Sequence, residues 1–258
     1  MTRPAYVALG DSMSIDRYPD LDHADRQHIR LHLRPPPLRW LPATGLGAAS
    51  LLARNDDAVW PGFAGRDLAT RLPGIACHFL AADGATTDDV LASQIRALGT
   101  VEGGGDVVVT LTAGGNDLLS LLGAAEPAGD AGVERILRNL DGILDAVRDR
   151  LPRAVLLVAN VYDPTDGTGD LEGHRLRPQE MRWLRDYNAG VARVCAARGA
   201  RLIDVHGHFA GHGRSAPTAE RWYWTGSLIE PGVVGASELR RLWLAALDGG
   251  AEAPRTRG

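Results

Sequence analysis

Ser12 stands in Gly10-Asp11-Ser12-Met13-Ser14, a hydroxyl on a tight turn directly after a short apolar run. Two further blocks share that setting. Gly84 lies in Ala82-Asp83-Gly84-Ala85-Thr86-Thr87, where a glycine lets the backbone come close to a ligand and its N–H can donate to an oxyanion. Asn116 lies in Gly114-Gly115-Asn116-Asp117 and offers a carboxamide as a second donor. Each block alone is also ordinary turn chemistry. Together they supply a hydroxyl, a backbone N–H and a carboxamide, the set acyl transfer needs because charge develops on a carbonyl oxygen as serine attacks.

Serine also needs a group to take its proton. Asp204-Val205-His206-Gly207-His208, with His212 just beyond, places three imidazoles after the last strand-like run. His212 is the first candidate base, since Gly211 and Gly213 free its backbone to fold toward Ser12. His208 is second, and His206 has the least reach. An ordinary imidazole titrates at about 6.5 and a glutamate at about 4.3, which puts histidine nearer the working pH. Glu230, in Ser227-Leu228-Ile229-Glu230-Pro231, is the competing base, or the acid that orients an imidazole. The histidine trio also has the make-up of a three-imidazole zinc site, so a metal-dependent hydrolase is a further reading. With no HExxH and no cysteine pair, neither metal nor cofactor is expected.

The elements that must carry these groups alternate. Apolar runs at Ala5–Leu9, Ile75–Ala81, Asp106–Leu111, Ala154–Val161 and Arg201–Val205 read as strands. Between or after them, Gly62–Leu72, Thr86–Leu98, Val133–Leu151, Pro178–Arg198 and Val234–Leu247 repeat apolar residues at helical spacing. That alternation predicts an α/β fold with a five-stranded parallel sheet covered on both faces, in a single domain over 1–247. In such a sheet the ligand crevice lies beyond the carboxyl ends of the strands, where the three blocks fall. Two segments break the rhythm: an irregular insertion at about 18–44, which carries Pro35-Pro36-Pro37, and a lid-like loop at about 206–226. Arg221-Trp222-Tyr223-Trp224 within the latter walls an acyl pocket or caps a core edge. A disordered tail is expected over 248–258.

Composition narrows the chemistry. The 258 residues carry a formal net charge of −4, leaving no broad basic face for nucleic acid. No lysine occurs at all, which removes a phosphate-binding, Schiff-base or general-base lysine. Cys77 and Cys195 lie far apart in apolar stretches and read as buried free thiols. The chain reaches its first strand at once, without room for a leader, and no apolar run is long enough to span a membrane. A cytoplasmic protein acting on a small ester-like substrate, with no membrane insertion, is expected.

At these residues the chain resembles the SGNH, or GDSL, hydrolase family, whose serine, glycine and asparagine blocks match Gly10-Asp11-Ser12, Gly84 and Gly114-Gly115-Asn116-Asp117. The resemblance implies a flavodoxin-like three-layer fold and an esterase or acyl hydrolase working through an acyl-Ser12 intermediate. It further implies an oxyanion hole made by the Ser12 N–H, the Gly84 N–H and the Asn116 side chain. The GxSxG elbow of the other large hydrolase group is absent. The family's last block, Asp-x-x-His before a proline, is replaced here: Glu230 occupies the histidine position beside Pro231 and Ser227 the aspartate position. Loss of a triad histidine costs roughly a millionfold in the protease precedent. The alternative from another class is therefore a catalytically impaired SGNH-like binding protein that keeps the pocket.

Overall fold

The computed structural model describes residues 3–30, 45–101, 105–171 and 173–249. Five strands form one parallel sheet: β1 (Ala5–Gly10), β2 (Ala76–Phe79), β3 (Val107–Thr112), β4 (Val155–Ala159) and β5 (Arg201–Ile203). Their order is β2-β1-β3-β4-β5, the flavodoxin-like doubly wound arrangement. β1 and β3 are buried along their whole length because both faces are covered.

Alternation along each strand divides the core in two. Val7, Leu9, Val109 and Leu111 point to one face, where α4 (Glu126–Arg150) and α5 (Pro178–Arg198) pack. α4 presents Ile136, Leu140, Ile143, Leu144 and Val147 on one stripe, the spacing of a helix lying on a sheet. Tyr6, Ala8, Val108 and Leu157 point to the other face, against α2 (Ala48–Ala53), α6 (Val205–Phe209) and α7 (Val233–Gly249). The result is three layers with the sheet in the middle. No helix among the described residues is long and apolar enough to cross a membrane.

Several expected elements differ. The stretch expected as one helix over 62–72 is two short turns, Pro61–Phe63 and Leu68–Arg71, separated by Gly65 at φ 73°. The segment expected as irregular from residue 18 begins as a helix, α1 (Arg17–Arg30), while 31–44 lies outside the described residues. The loop expected from 206 opens instead with α6, because the Asp204 carboxylate caps it by accepting from Gly207 N at 3.0 Å. Of the expected tail, Asp248 and Gly249 close α7, and 250–258 lies outside the described residues.

Candidate active site

Ser12 is delivered by the end of β1. Gly10 sits at φ 120°, and a Cβ there would lie 1.8 Å from the Thr112 carbonyl oxygen, so the strand can approach β3 this closely only with glycine. The Gln94 side chain holds the same residue: Oε1 accepts from Gly10 N at 2.7 Å and Nε2 donates to Gly10 O at 2.8 Å. Gln94 comes from a helical run after β2 whose middle, Val90–Gln94, is wound as a π-turn. The chain then turns, with Ser14 N donating to Asp11 O at 3.2 Å and Met13 N donating to Asp11 Oδ1 at 3.1 Å. Ser14 and Thr112 hydroxyls meet at 3.0 Å behind it. Ser12 is left almost wholly buried, facing a cavity.

The second and third blocks are stitched to each other. Asn116, on α3 (Gly115–Ser120), donates its Nδ2 to Ala85 O at 3.0 Å, which leaves its second amide hydrogen uncommitted by that bond. Asp117 takes both Thr87 N, at 2.8 Å, and Thr87 Oγ1, at 2.7 Å, and is itself buried. Asn116 lines the same cavity as Ser12. Gly84, at φ 70°, is exposed and is not part of the cavity wall, though the bond to Ala85 ties its turn to Asn116.

Glu230 enters from the far end of the chain. Trp224 N donates to Glu230 O at 2.9 Å, Gly232 N to Trp222 O at 2.8 Å, and Tyr223 bridges antiparallel to Pro231. The buried Tyr162 hydroxyl donates to Ile229 O at 2.5 Å and fixes this strap to the end of β4. The Glu230 carboxyl thereby lines the same cavity as Ser12, whose hydroxyl acts on its titration. Burial pushes it up to about 7; the Ser12 hydroxyl bond and the Arg17 guanidinium oppose the rise, and the charges of Asp11 and Asp83 add to it. Glu230 Oε2 is buried with no hydrogen-bond partner among the described residues. Asp11, also on the cavity wall, is likewise pushed up to about 7 by burial, against hydrogen bonds from Thr112 and Met13. A hydroxyl beside a carboxyl of that poise is the pairing general-base chemistry uses.

The imidazoles are elsewhere, and the expectation of a relocated histidine base is revised. His212, the first candidate, stacks face to face on Trp222 at 3.6 Å, between two glycines whose N–H groups are held by the Asp166 carboxylate. His208, the second, bonds through Nε2 to Glu238 at 2.9 Å. His206 places Nδ1 3.1 Å from Val161 O. None of the three lines the cavity. The cause is α6: residues 206 and 208 alternate on one face of a strand but not on a helix. Among the described residues no group of histidine, cysteine or carboxylate side chains is placed to hold a metal. Trp222 and Tyr223 pack on Phe209 at the core edge rather than on the cavity.

Two participants were not anticipated from the sequence. Gln94 is a polar residue at a core-facing position of the stripe Val90, Ile95, Leu98, and such a misfit is the signal that marks it. Asp11 was in view only as part of a turn tripeptide. The cavity itself, about 110 Å³, is lined by Ser12, Asn116 and Glu230 and by residues of α3 and α5, among them Glu180 and Trp183.

Residues 41–222 match the sequence model of the GDSL-like Lipase/Acylhydrolase family, a span that holds Gly84 and Asn116 but neither Ser12 nor Glu230. Among solved structures the chain is similar to a lipase from a goat rumen metagenome, at 17% identity and a TM-score of 0.61 over 94% of this chain and 96% of that one. It is similar to an extracellular lipase of Streptomyces rimosus at 22% identity and a TM-score of 0.59, covering 96% and 99% of the two chains. A phospholipase A1 of Streptomyces albidoflavus gives 22% identity and a TM-score of 0.55 over 96% and 99%. At these identities the likeness is one of fold. No curated protein matches the chain.

Proposed function

The chain belongs to the GDSL-like lipase/acylhydrolase family, and on that premise we propose that it is a serine hydrolase of ester-like substrates in which Ser12 attacks and Glu230, not an imidazole, takes the proton. The observation that carries this reading is that Ser12 shares a cavity wall with a buried carboxyl pushed up to about 7, on which the Ser12 hydroxyl acts. A carboxylate at its ordinary value of about 4.3 is too weak a base for a hydroxyl, and raising it toward neutrality strengthens it while leaving much of it ionised at pH 7.

In the proposed reaction Ser12 Oγ bonds to the carbonyl carbon as its proton passes to Glu230. The oxyanion is met by the Ser12 N–H and the second hydrogen of Asn116 Nδ2, both on the cavity wall, with the Gly84 N–H, outside that wall, as the third donor the family resemblance implies. The tetrahedral adduct collapses, the C–O bond to the alcohol breaks, and Glu230 returns the proton to the departing oxygen. Water, deprotonated by Glu230, then cleaves acyl-Ser12 to the acid. A triad aspartate fixes the tautomer and orientation of a histidine. A carboxylate has no tautomer to fix, and the strap bonds at Trp224 and Ile229 orient Glu230 instead, which accounts for Ser227 where the family has aspartate.

The test is a short aryl ester and mass spectrometry of the quenched enzyme. Ser12→Ala is expected to abolish turnover with its melting temperature within a few degrees of wild type, and wild type to carry one acyl mass on the Ser12 peptide. Activity above about a tenth of wild type in Ser12→Ala defeats the assignment. Tight ligand binding with no turnover and no adduct in wild type points instead to a binding protein that has kept the pocket.

A further inference from the structure

We propose that the site selects esters of short, neutral, apolar acyl chains of about four to six carbons, the chain lying in the cavity between Ser12 and Glu180; this rests on the serine-hydrolase reading above. The side walls are leucines. Leu118, Leu119 and Leu122 come from α3 and the turn after it, Leu176 from the approach to α5, and Leu184 from α5 itself. All five are only partly buried and line the cavity, Leu118 and Leu184 also packing against the core behind it. Water gains little in such a space, whereas hydrocarbon gains the burial of each methylene.

The size follows from the volume. An apolar cavity of about 150 Å³ accepts benzene, six carbons; 110 Å³ accommodates slightly less. The far wall does not give. Trp183 is pinned by Nε1 donating to Asp130 at 2.7 Å and by ring contact so close to Gly129 that a Cβ there would lie 1.9 Å away. Beside it, Glu180 has its oxygens taken by Gly123 N at 2.8 Å, by Arg177 Nε and Nη2 at 3.0 and 2.7 Å, and by Arg177 N at 2.7 Å. These bonds hold its carboxyl down at about 2, against the burial that opposes them. Glu180 is thus an ionised part of the wall, both of its oxygens bonded within the protein. At the other end Asp11 and Glu230 disfavour an anionic acyl group.

The occupant is the acyl chain and not the alcohol because of the order of events. The acyl group stays covalently on Ser12 until water arrives, while the alcohol must leave first. A recess walled by two helices suits the part that remains.

Two ester series separate these outcomes: 4-nitrophenyl esters from acetyl to decanoyl, and acetate esters of alcohols of the same lengths. From acetyl to butyryl, kcat/KM is expected to rise about fourfold per methylene, equivalent to about 0.8 kcal/mol, to peak at four to six carbons and to fall at least tenfold by decanoyl. The alcohol series is expected to be flat. Leu184→Ala is expected to move the peak about two carbons longer and Leu119→Trp to move it to acetyl or propionyl. An acyl series that is flat or still rising at decanoyl, or a peak found only in the alcohol series, overturns the proposal while leaving Ser12-dependent hydrolysis intact. Hydrolysis that survives in Ser12→Ala defeats the serine reading separately. A readout without turnover covers an inactive enzyme: at pH 5.5, butyric and hexanoic acids are expected to raise the melting temperature and decanoic acid not to. A rise that simply grows with chain length sinks the pocket limit.

Discussion

Gln94 grips Gly10 through both atoms of its side-chain amide, donating to the carbonyl and accepting from the N–H two residues before Ser12. The bonds come from a helical run that follows β2, and the π-turn at Val90–Gln94 is what brings a side chain from that run onto the end of β1. Ser12 is therefore positioned by three strands' worth of structure: β1 beneath it, Thr112 of β3 beside it, and Gln94 reaching over from the segment after β2.

Gln94→Ala takes the acceptor from the buried Gly10 N–H and one of two donors from Gly10 O, which keeps Ala82 N at 3.0 Å, so one buried group is left without this partner, at about 1–3 kcal/mol. Urea unfolding is expected to show a loss of roughly 1–3 kcal/mol with little change in slope. Gln94→Glu adds a signature of its own: ionised, it cannot donate to Gly10 O, and protonated it can. Its deficit in melting temperature relative to wild type is expected to be smaller at pH 5 than at pH 8. Equal deficits at both pH values mean that the amide does not act through Gly10.

Asn116→Ala is expected to lower kcat by roughly 10²–10³ with a much smaller change in KM, as loss of one oxyanion donor does elsewhere. Steady-state kinetics on a short aryl ester decide it. A change confined to KM reduces Asn116 to the residue that ties α3 to Ala85.

Asp11 and Glu230 carry pH-dependent stability. Both carboxyls are raised to about 7 in the fold, from 3.8 and 4.5 respectively, chiefly by burial. The folded protein therefore binds more protons than the unfolded chain between about pH 4 and pH 7. Their contribution to stability is complete below the unfolded values and is lost as pH rises through about 7. Unfolding free energies at pH 5 and pH 8 are expected to differ less in the Asp11→Asn, Glu230→Gln double variant than in wild type. An unchanged difference shows that neither carboxyl is raised as described.

The sheet is legible because each strand is a short apolar run with turn residues behind it; coverage of both faces holds for β1 and β3, whereas the edge strand β2 leaves Cys77, expected to be buried, and Phe79 exposed. The blocks at Ser12, Gly84 and Asn116 were legible for the same reason: they follow strand ends, and the fold brings strand ends to one edge. The proposed proton acceptor is not. His212 and His208 were ranked by how far a loop could swing, but Asp204 caps a helix there, Trp222 stacks on His212 and Glu238 holds His208. Glu230 reads as too acidic in the sequence because its rise comes from burial first, and then from the charges of Asp11 and Asp83, all set by segments distant in sequence. The cavity was equally hidden, since its walls come from the turn after α3, from α5 and from Ile229.

The central claim is that Glu230 activates Ser12, and the most direct measurement is the rate at which a small fluorophosphonate labels Ser12 between pH 5 and pH 9. Wild type is expected to label at Ser12 with a rate that climbs through pH about 7 as Glu230 ionises. Removing the Asp11 charge by Asp11→Asn is expected to move that climb to lower pH, since a like charge that raises Glu230 is gone. In Glu230→Gln the rate at pH 8 is expected to fall by at least about a hundredfold, the lower bound for loss of a general base, and to lose its rise near 7. A Glu230→Gln enzyme that labels at the wild-type rate with the same pH profile contradicts the account.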